Sequence, residues 1–184
     1  MGGTLTMIIN IYTDGACSGN QNENNVGGWG TILEAGENTK ELYGGQANTT
    51  NNIMELTAVL EGLKALKSHN HQVNVFSDSA YIVNCFNQNW YVKWLSNGWM
   101  TSQKKPVENR AIWEELIHIV QKIKTVNFYK VKGHLDLNKK SDVKKWYDKY
   151  AKAYGSVPMH SFEYLIKMNH RADELANKGM EPYR

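Results

Sequence analysis

The chain has 184 residues, 41% hydrophobic and 21% charged, values ordinary for a soluble globular protein of one domain with room for an appended segment. No apolar run approaches the roughly 18 residues that a membrane span needs, and the N-terminus lacks the basic region and long apolar core of a secretory signal. The net charge of +3 is unevenly placed: residues 92–152 hold 14 Lys/Arg against 6 Asp/Glu, and the remainder is acidic. A basic stretch beside an acidic body fits a polyanion partner whose chemistry happens elsewhere on the molecule, and equally a solvated lysine-rich surface. Cys17 and Cys85 fit no zinc spacing and read as free thiols in a reducing cytoplasm.

Residues 1–7 read as a leader, with Met7 as a natural start. "IINIYT" (8–13) reads as a first strand, "VGGWGTILEA" as a second and "TKELYGGQA" as a third, an antiparallel meander. "TTNNIMELTAVLEGLKALKSH" changes to a helical period, with Glu55, Val59, Gly62 and Leu66 on one face. "VNVFSD" is a fourth strand, "SAYIVNCFNQN" a helix, and a Trp-rich stretch from Trp90 to Trp99 precedes the amphipathic helix "NRAIWEELIHIVQKIK". "VNFYKVKGH" is a fifth strand, residues 135–168 look irregular and lysine-rich, and "NHRADELANKG" closes the chain as a helix, capped by Asn169 and ended by Gly179. The order βββ-α-β-α-α-β-α implies a mixed sheet, part antiparallel and part parallel, covered by helices. One domain over 8–180 is expected, with a lysine-rich insertion at 135–168 and a tail at 181–184.

Four acids stand in odd places. Asp14 and Asp78 close apolar strands, and Glu55 heads an apolar helical face. Local chemistry accounts for each singly. Asp14-Gly15 is a turn former, Asn52 to Glu55 fits a capping box, Asp78 can cap the helix that follows, and Asp173 near a helix start is ordinarily solvated. Geometry links them, however. If the first and fourth strands are parallel neighbours, Asp14 and Asp78 lie side by side at the carboxyl end of the sheet, where open α/β folds place functional groups. Carboxylates about 4 Å apart repel by about 4 kcal/mol at an effective dielectric of 20. Such a cluster must take up protons or hold cations, and all-oxygen ligands favour Mg²⁺ or Mn²⁺ over zinc.

The motifs "YTDGACSGN", "GGWG", "TTNNIMELTAVLEGLKAL", "SDSAYIVN", "GWMTSQKKPVENRAIWEEL", "VKGH" and "RADELANKG" occur in this order over most of residues 8–180. Together they make the chain resemble bacterial-type (type 1) ribonuclease H. The resemblance implies a ribonuclease H-like α/β fold, a five-stranded mixed sheet in the order 3-2-1-4-5 flanked by helices. It implies an endonuclease that hydrolyses the RNA strand of RNA–DNA hybrids, leaving 5′-phosphate and 3′-hydroxyl ends. Asp14, Glu55, Asp78 and Asp173 are then the metal ligands for two Mg²⁺ ions about 3.5–4 Å apart, with Mn²⁺ as a substitute and Asp14 bridging both. The Gly-rich bend after Asp14 would let the backbone approach the substrate. His134, in the loop after the fifth strand, suits proton transfer or product release.

Hybrid recognition requires the 2′-hydroxyl to be read from the minor groove. Cys17, Asn20, Asn51 and Asn52 match positions for this, and Thr50 and Asn109 match positions that hold a DNA-strand phosphate. Trp90, Trp94 and Trp99, with Lys93, Lys104 and Lys105, resemble the family's handle region, and the tryptophans, Trp94 and Trp99 above all, also suit a core. The handle is less basic than usual, since Leu95, Ser96 and Asn97 stand where basic residues are common. The first loop, "NQNENNVGGWG", is lengthened, and the short loop before Asp173 becomes Leu135 to Met168. Val143, Trp146, Tyr147 and Tyr150 fall at helical spacing there, so this segment is expected to form a helix beside the active-site rim. It either adds a second basic contact to the hybrid or packs on itself. No N-terminal hybrid-binding module is expected, and the protein is read as a cytoplasmic monomer. The rival readings are another nuclease or transferase of the same fold acting on DNA, and a non-catalytic hybrid-binding protein.

Overall fold

The structure is a computed structural model that describes residues 6–19 and 25–184. Five strands form one sheet in the order β3-β2-β1-β4-β5. β1 (Ile8–Ser18), β2 (Val26–Ala35) and β3 (Asn38–Ala47) make the antiparallel meander. β4 (Gln72–Ser77) and β5 (Thr125–Lys130) add to it in parallel. Residues alternate across the strands. Ile11, Val75 and Phe128 join one core with α1 (Asn51–Lys64), α2 (Ala80–Asn87), α3 (Trp90–Asn97) and α4 (Arg110–Lys122). Tyr12, Phe76 and Val131 join a second core with α5 (Lys140–Tyr154) and α6 (Met159–Met180) on the other face. Among the described residues no helix is long and apolar enough to cross a membrane.

A repeated triplet pins the register. Asn10-Ile11-Tyr12, Asn74-Val75-Phe76 and Asn127-Phe128-Tyr129 lie side by side on β1, β4 and β5. Asn127 donates to Asn74 (3.1 Å), Asn74 to Asn10 (3.1 Å) and Asn10 to Glu34 on β2 (3.3 Å). Two residues on, Tyr12, Phe76 and Tyr129 stack at 5.2 and 5.1 Å between centroids. A slip of one residue turns every one of these side chains to the opposite face, so the ladder admits a single alignment.

Several local expectations are corrected. Asp14 does not end β1: parallel pairing with β4 stops at Tyr12 and Phe76, but β1 stays paired with β2 through Ser18 and Val26, so no bend follows Asp14. The antiparallel ladder outweighs Asp-Gly turn preference. Thr50, rather than a box starting at Asn52, caps α1 by accepting from the Ile53 N–H (3.1 Å). Ser79, rather than Asp78, caps α2. The Trp-rich stretch contains α3, and Trp94 and Trp99 are buried in the core. β5 ends at Lys130, leaving "VKGH" irregular.

Residues 135–168 hold α5 and the first ten residues of α6, so they are mostly helical. α6 begins after Pro158, which makes Asn169 a buried mid-helix residue rather than a cap and leaves Gly179 inside the helix. Continuous burial of Phe162, Ile166, Ala172 and Leu175 against the sheet carries the helix through the local stop and start signals. The expected tail turns as a 3-10 segment, Glu181–Tyr183.

Candidate active site

The register of β1 and β4, carried two residues past Tyr12 and Phe76, sets Asp14 beside Asp78. Both stand at the carboxyl edge of the parallel strands, as does the loop after β5. Glu55, in the second turn of α1, reaches the same point because α1 rests directly on the β1 backbone. A Cβ on Gly15 would lie 2.5 Å from the Glu55 amide nitrogen, so only glycine allows this approach.

α6 presses on β2 in the same way. A Cβ at Gly28 would lie 1.9 Å from the Ala176 carbonyl oxygen, and one at Gly30, the partner of Asp14, would lie 2.3 Å from that of Ala172. The helical turn carrying Asp173 is thereby held over the β1–β2 pair. Asp173 sits fifteen residues past Pro158, well inside the helix and half buried, so it is not a solvated residue at a helix start. We expect Gly28→Ala to cost about 1–3 kcal/mol of stability by overpacking, and to weaken divalent-cation binding because α6 must retreat with Asp173. Thermal unfolding and Mn²⁺ titration check this; a variant with wild-type values for both contradicts the close-approach argument.

Asp14, Glu55 and Asp78 each offer a carboxylate oxygen, all within 4.8 Å of one another. Asp14 is 3% exposed and Glu55 9%. Burial first, then the neighbouring Asp78 and Asp173, push the Asp14 carboxyl up to about 8. Burial, then Asp78 and Asp14, hold Glu55 well above the ordinary carboxylate range. Glu55 Oε2 is buried with no hydrogen-bond partner among the described residues. Crowded oxygens, raised affinity for positive charge and an unpartnered buried carboxylate oxygen fit a hard divalent cation with oxygen ligands.

Asp173 and His134 line the same cleft, of about 640 Å³. His134 is exposed and has a left-handed backbone (φ 56°). The preceding Gly133 packs against Asp78, leaving no space for a Cβ, which would meet Oδ2 at 2.3 Å. Cys17, Asn51 and Asn52 line the cleft as well, and with Thr50 they border an adjoining cavity beside Asn25 and Thr49. Asn20 lies outside the described residues.

Asn109, Lys105 and Asn52 share a third cavity, next to Tyr81. Trp90 leans on Tyr81 at 5.7 Å and donates to Gln88 (3.1 Å), outside the cleft lining. Lys104 is exposed, with φ 62°. Two cleft residues are not singled out by the sequence reading, although Asn177 lies within the RADELANKG motif. Asn177, one turn after Asp173, donates to the Asp173 carbonyl (2.9 Å), and Arg184 also lines the cleft. The i,i+4 spacing on one helix was the available signal for Asn177.

A five-stranded mixed sheet in this order, flanked by helices and carrying carboxylates just past the parallel pairing of its two central strands, defines the ribonuclease H-like class of fold. The RNase H family model matches residues 7–181. A ribonuclease H of Thermoanaerobacter sp. is 51% identical over 129 residues, 70% of this chain and 80% of that protein. A ribonuclease H of Clostridium botulinum is 40% identical over 173 residues, 94% of this chain and 95% of that protein. The chain belongs to the ribonuclease H family and is an enzyme of that family. Among solved structures, LC9-RNase H1, a type 1 RNase H with the type 2 active-site motif, shares the fold with a TM-score of 0.73 at 24% identity, covering 100% of this chain and 76% of that one. LC11-RNase H1, solved in complex with an RNA/DNA hybrid, has a TM-score of 0.57 at 21% identity, covering 95% of this chain and 97% of that one.

Proposed function

We propose that the protein hydrolyses the RNA strand of RNA–DNA hybrids endonucleolytically, with Asp14, Glu55, Asp78 and Asp173 holding two Mg²⁺ ions, or Mn²⁺ in their place. The observation that carries this is the mutual approach of Asp14, Glu55 and Asp78 within 4.8 Å in a chain of this family. When bound, the ions supply charge neutralisation at the phosphate and make a water ionisable near neutral pH. The chain's own residues do the rest. Asp14, on which Glu55, Asp78 and Asp173 all act, would be a ligand at the centre of the set that holds the ions. His134, exposed at the cleft rim, moves a proton to or from the reacting oxygens. Cys17, Asn20, Asn51 and Asn52 read the minor groove. Thr50 and Asn109 hold a DNA-strand phosphate, and Trp90, Lys104 and Lys105 position the duplex.

We further read residues 8–180 as one catalytic domain bearing the 135–168 insertion. It acts as a cytoplasmic monomer, in keeping with its free thiols at Cys17 and Cys85. The edge strand β5 is also protected: Phe128 O accepts from Asn87 (3.0 Å) and the Lys130 N–H donates to the Tyr154 hydroxyl (2.9 Å), which leaves little for another chain to pair with.

The deciding experiment offers labelled RNA–DNA hybrid, duplex DNA and duplex RNA with Mg²⁺, Mn²⁺ or EDTA. Cleavage confined to the RNA strand of the hybrid, yielding 5′-phosphate ends and abolished by EDTA, is expected; cutting of duplex DNA but not hybrid overturns the reading.

Metal and pH are linked through the same acids. Native Asp14 and Glu55 keep protons that their unfolded counterparts lose near pH 4. Their contribution to stability is therefore full below about pH 4 and lost as pH rises toward the native Asp14 value of about 8. A bound cation reverses that loss by favouring the ionised forms. The rise in Tm on replacing EDTA with Mg²⁺ should grow between pH 5 and 8, as read by scanning calorimetry; a rise independent of pH contradicts the linkage.

A further inference from the structure

The 135–168 segment builds something that its own sequence does not show. Trp146 of α5, half buried, has four lysine ammoniums around its ring: Lys149 at 4.3 Å from the centroid, Lys132 at 5.0 Å, Lys145 at 5.4 Å and Lys130 at 5.9 Å. Two of these come from α5 and two from β5 and the residues just after it. The cluster therefore exists only because α5 folds back on the edge strand, a return held by the Tyr154 hydroxyl on the Lys130 N–H. Among the described residues none of the four forms an ion pair, and the nearby Asp148 is engaged by Lys144 at 2.6 Å. One indole face cannot neutralise four cations. Burial and the adjacent Lys132 and Lys149 push the Lys130 ammonium below its ordinary range. Clustered like charges without counter-charges are stabilised by a polyanion.

The position of the cluster selects the polyanion. Lys132 is followed by Gly133, which packs on Asp78, and by His134 in the catalytic cleft. Lys130 is near enough for the Asp78 charge to act on it. The cluster thus starts at the cleft rim and runs outward along α5. α5 packs with α6 on one face of the sheet, whereas the Trp90–Lys105 region belongs with α1, α2 and α4 on the other. The carboxylates lie between two basic surfaces. Lysines act as point charges toward phosphates and read no sequence.

We propose that the lysine cluster around Trp146 is a second phosphate-backbone site for the hybrid duplex, gripping it on the α5 side of the cleaved bond while the handle grips the other. This rests on the reading that the cleft cleaves hybrid.

The test is Lys145→Ala with Lys149→Ala, both exposed positions whose loss leaves the fold intact. The control is Lys122→Ala with Lys124→Ala, which removes the same charge at the opposite end of β5. The cluster variant should raise KM for hybrid about tenfold at 0.15 M salt with kcat unchanged, and flatten the slope of log affinity against log salt by about 2, one released counterion per lost contact. The control should move neither. Wild-type KM and slope in the cluster variant, or equal changes in the control, overturn the proposal. Hybrid binding is also read by anisotropy in EDTA, where no cleavage occurs. If the wild-type enzyme fails to cleave hybrid, the functional reading falls, while the binding arm still judges the lysine cluster by itself.

Discussion

Replacing Asp14 with Asn is expected to lower kcat on hybrid by at least about 10⁴-fold, equivalent to about 5.5 kcal/mol of lost transition-state stabilisation. Asp14 is the carboxylate at the centre of the cluster, 3% exposed, with Asp78, Glu55 and Asp173 all acting on it. The amide is nearly isosteric but carries no charge for a cation. The same change should stabilise the metal-free protein by about 1–3 kcal/mol, because it removes a buried group that must either stay protonated or repel its neighbours. Hybrid binding should persist, since the residues proposed to read the duplex are on other side chains. The expected pattern is therefore loss of activity, gain in Tm in EDTA and unchanged Kd for hybrid. A folded Asp14→Asn protein that still turns over at near wild-type rate, or that is less stable without metal, contradicts the placement of Asp14 at the centre of the site.

His134→Ala should reduce kcat by about 10²–10⁴, the usual worth of a positioned general acid or base, with little change in KM. Backbone strain complicates the substitution: at φ 56° an alanine costs about 1–2 kcal/mol that histidine and asparagine tolerate better. His134→Asn is the matched control, since it keeps the loop conformation without an ionisable group. If loss of the imidazole is what matters, both variants should be slow, and added imidazole should restore part of the rate because the site is open to solvent. An asparagine variant with the full wild-type rate removes His134 from the chemistry and leaves it as a loop former.

Hydrophobic period and residue type were legible where burial is regular. β2 runs over the segment read from "VGGWGTILEA", and α1 and α4 follow their amphipathic patterns. The helical spacing of Val143, Trp146, Tyr147 and Tyr150 corresponds to α5. Local cap signals misled: Asn52, Asp78 and Asn169 look like helix starts in isolation, yet Thr50 and Ser79 do the capping and Asn169 is swallowed by a longer helix. Cap preferences are worth about 1 kcal/mol each, and burial of a 22-residue helix along the sheet outweighs them.

By itself the sequence determined the alternating strands and the presence of four acids and a histidine in the order the family resemblance requires. Tertiary structure decided which of those groups meet. Asp14 faces Asp78 through strand register, and Glu55 and Asp173 arrive because Gly15, Gly28 and Gly30 let two helices touch the strand backbone. The four lysines around Trp146 likewise converge only across the return of α5 onto β5. Spacing along a chain carries the period of one element, whereas distances of a few ångströms between elements depend on how closely their backbones can pack.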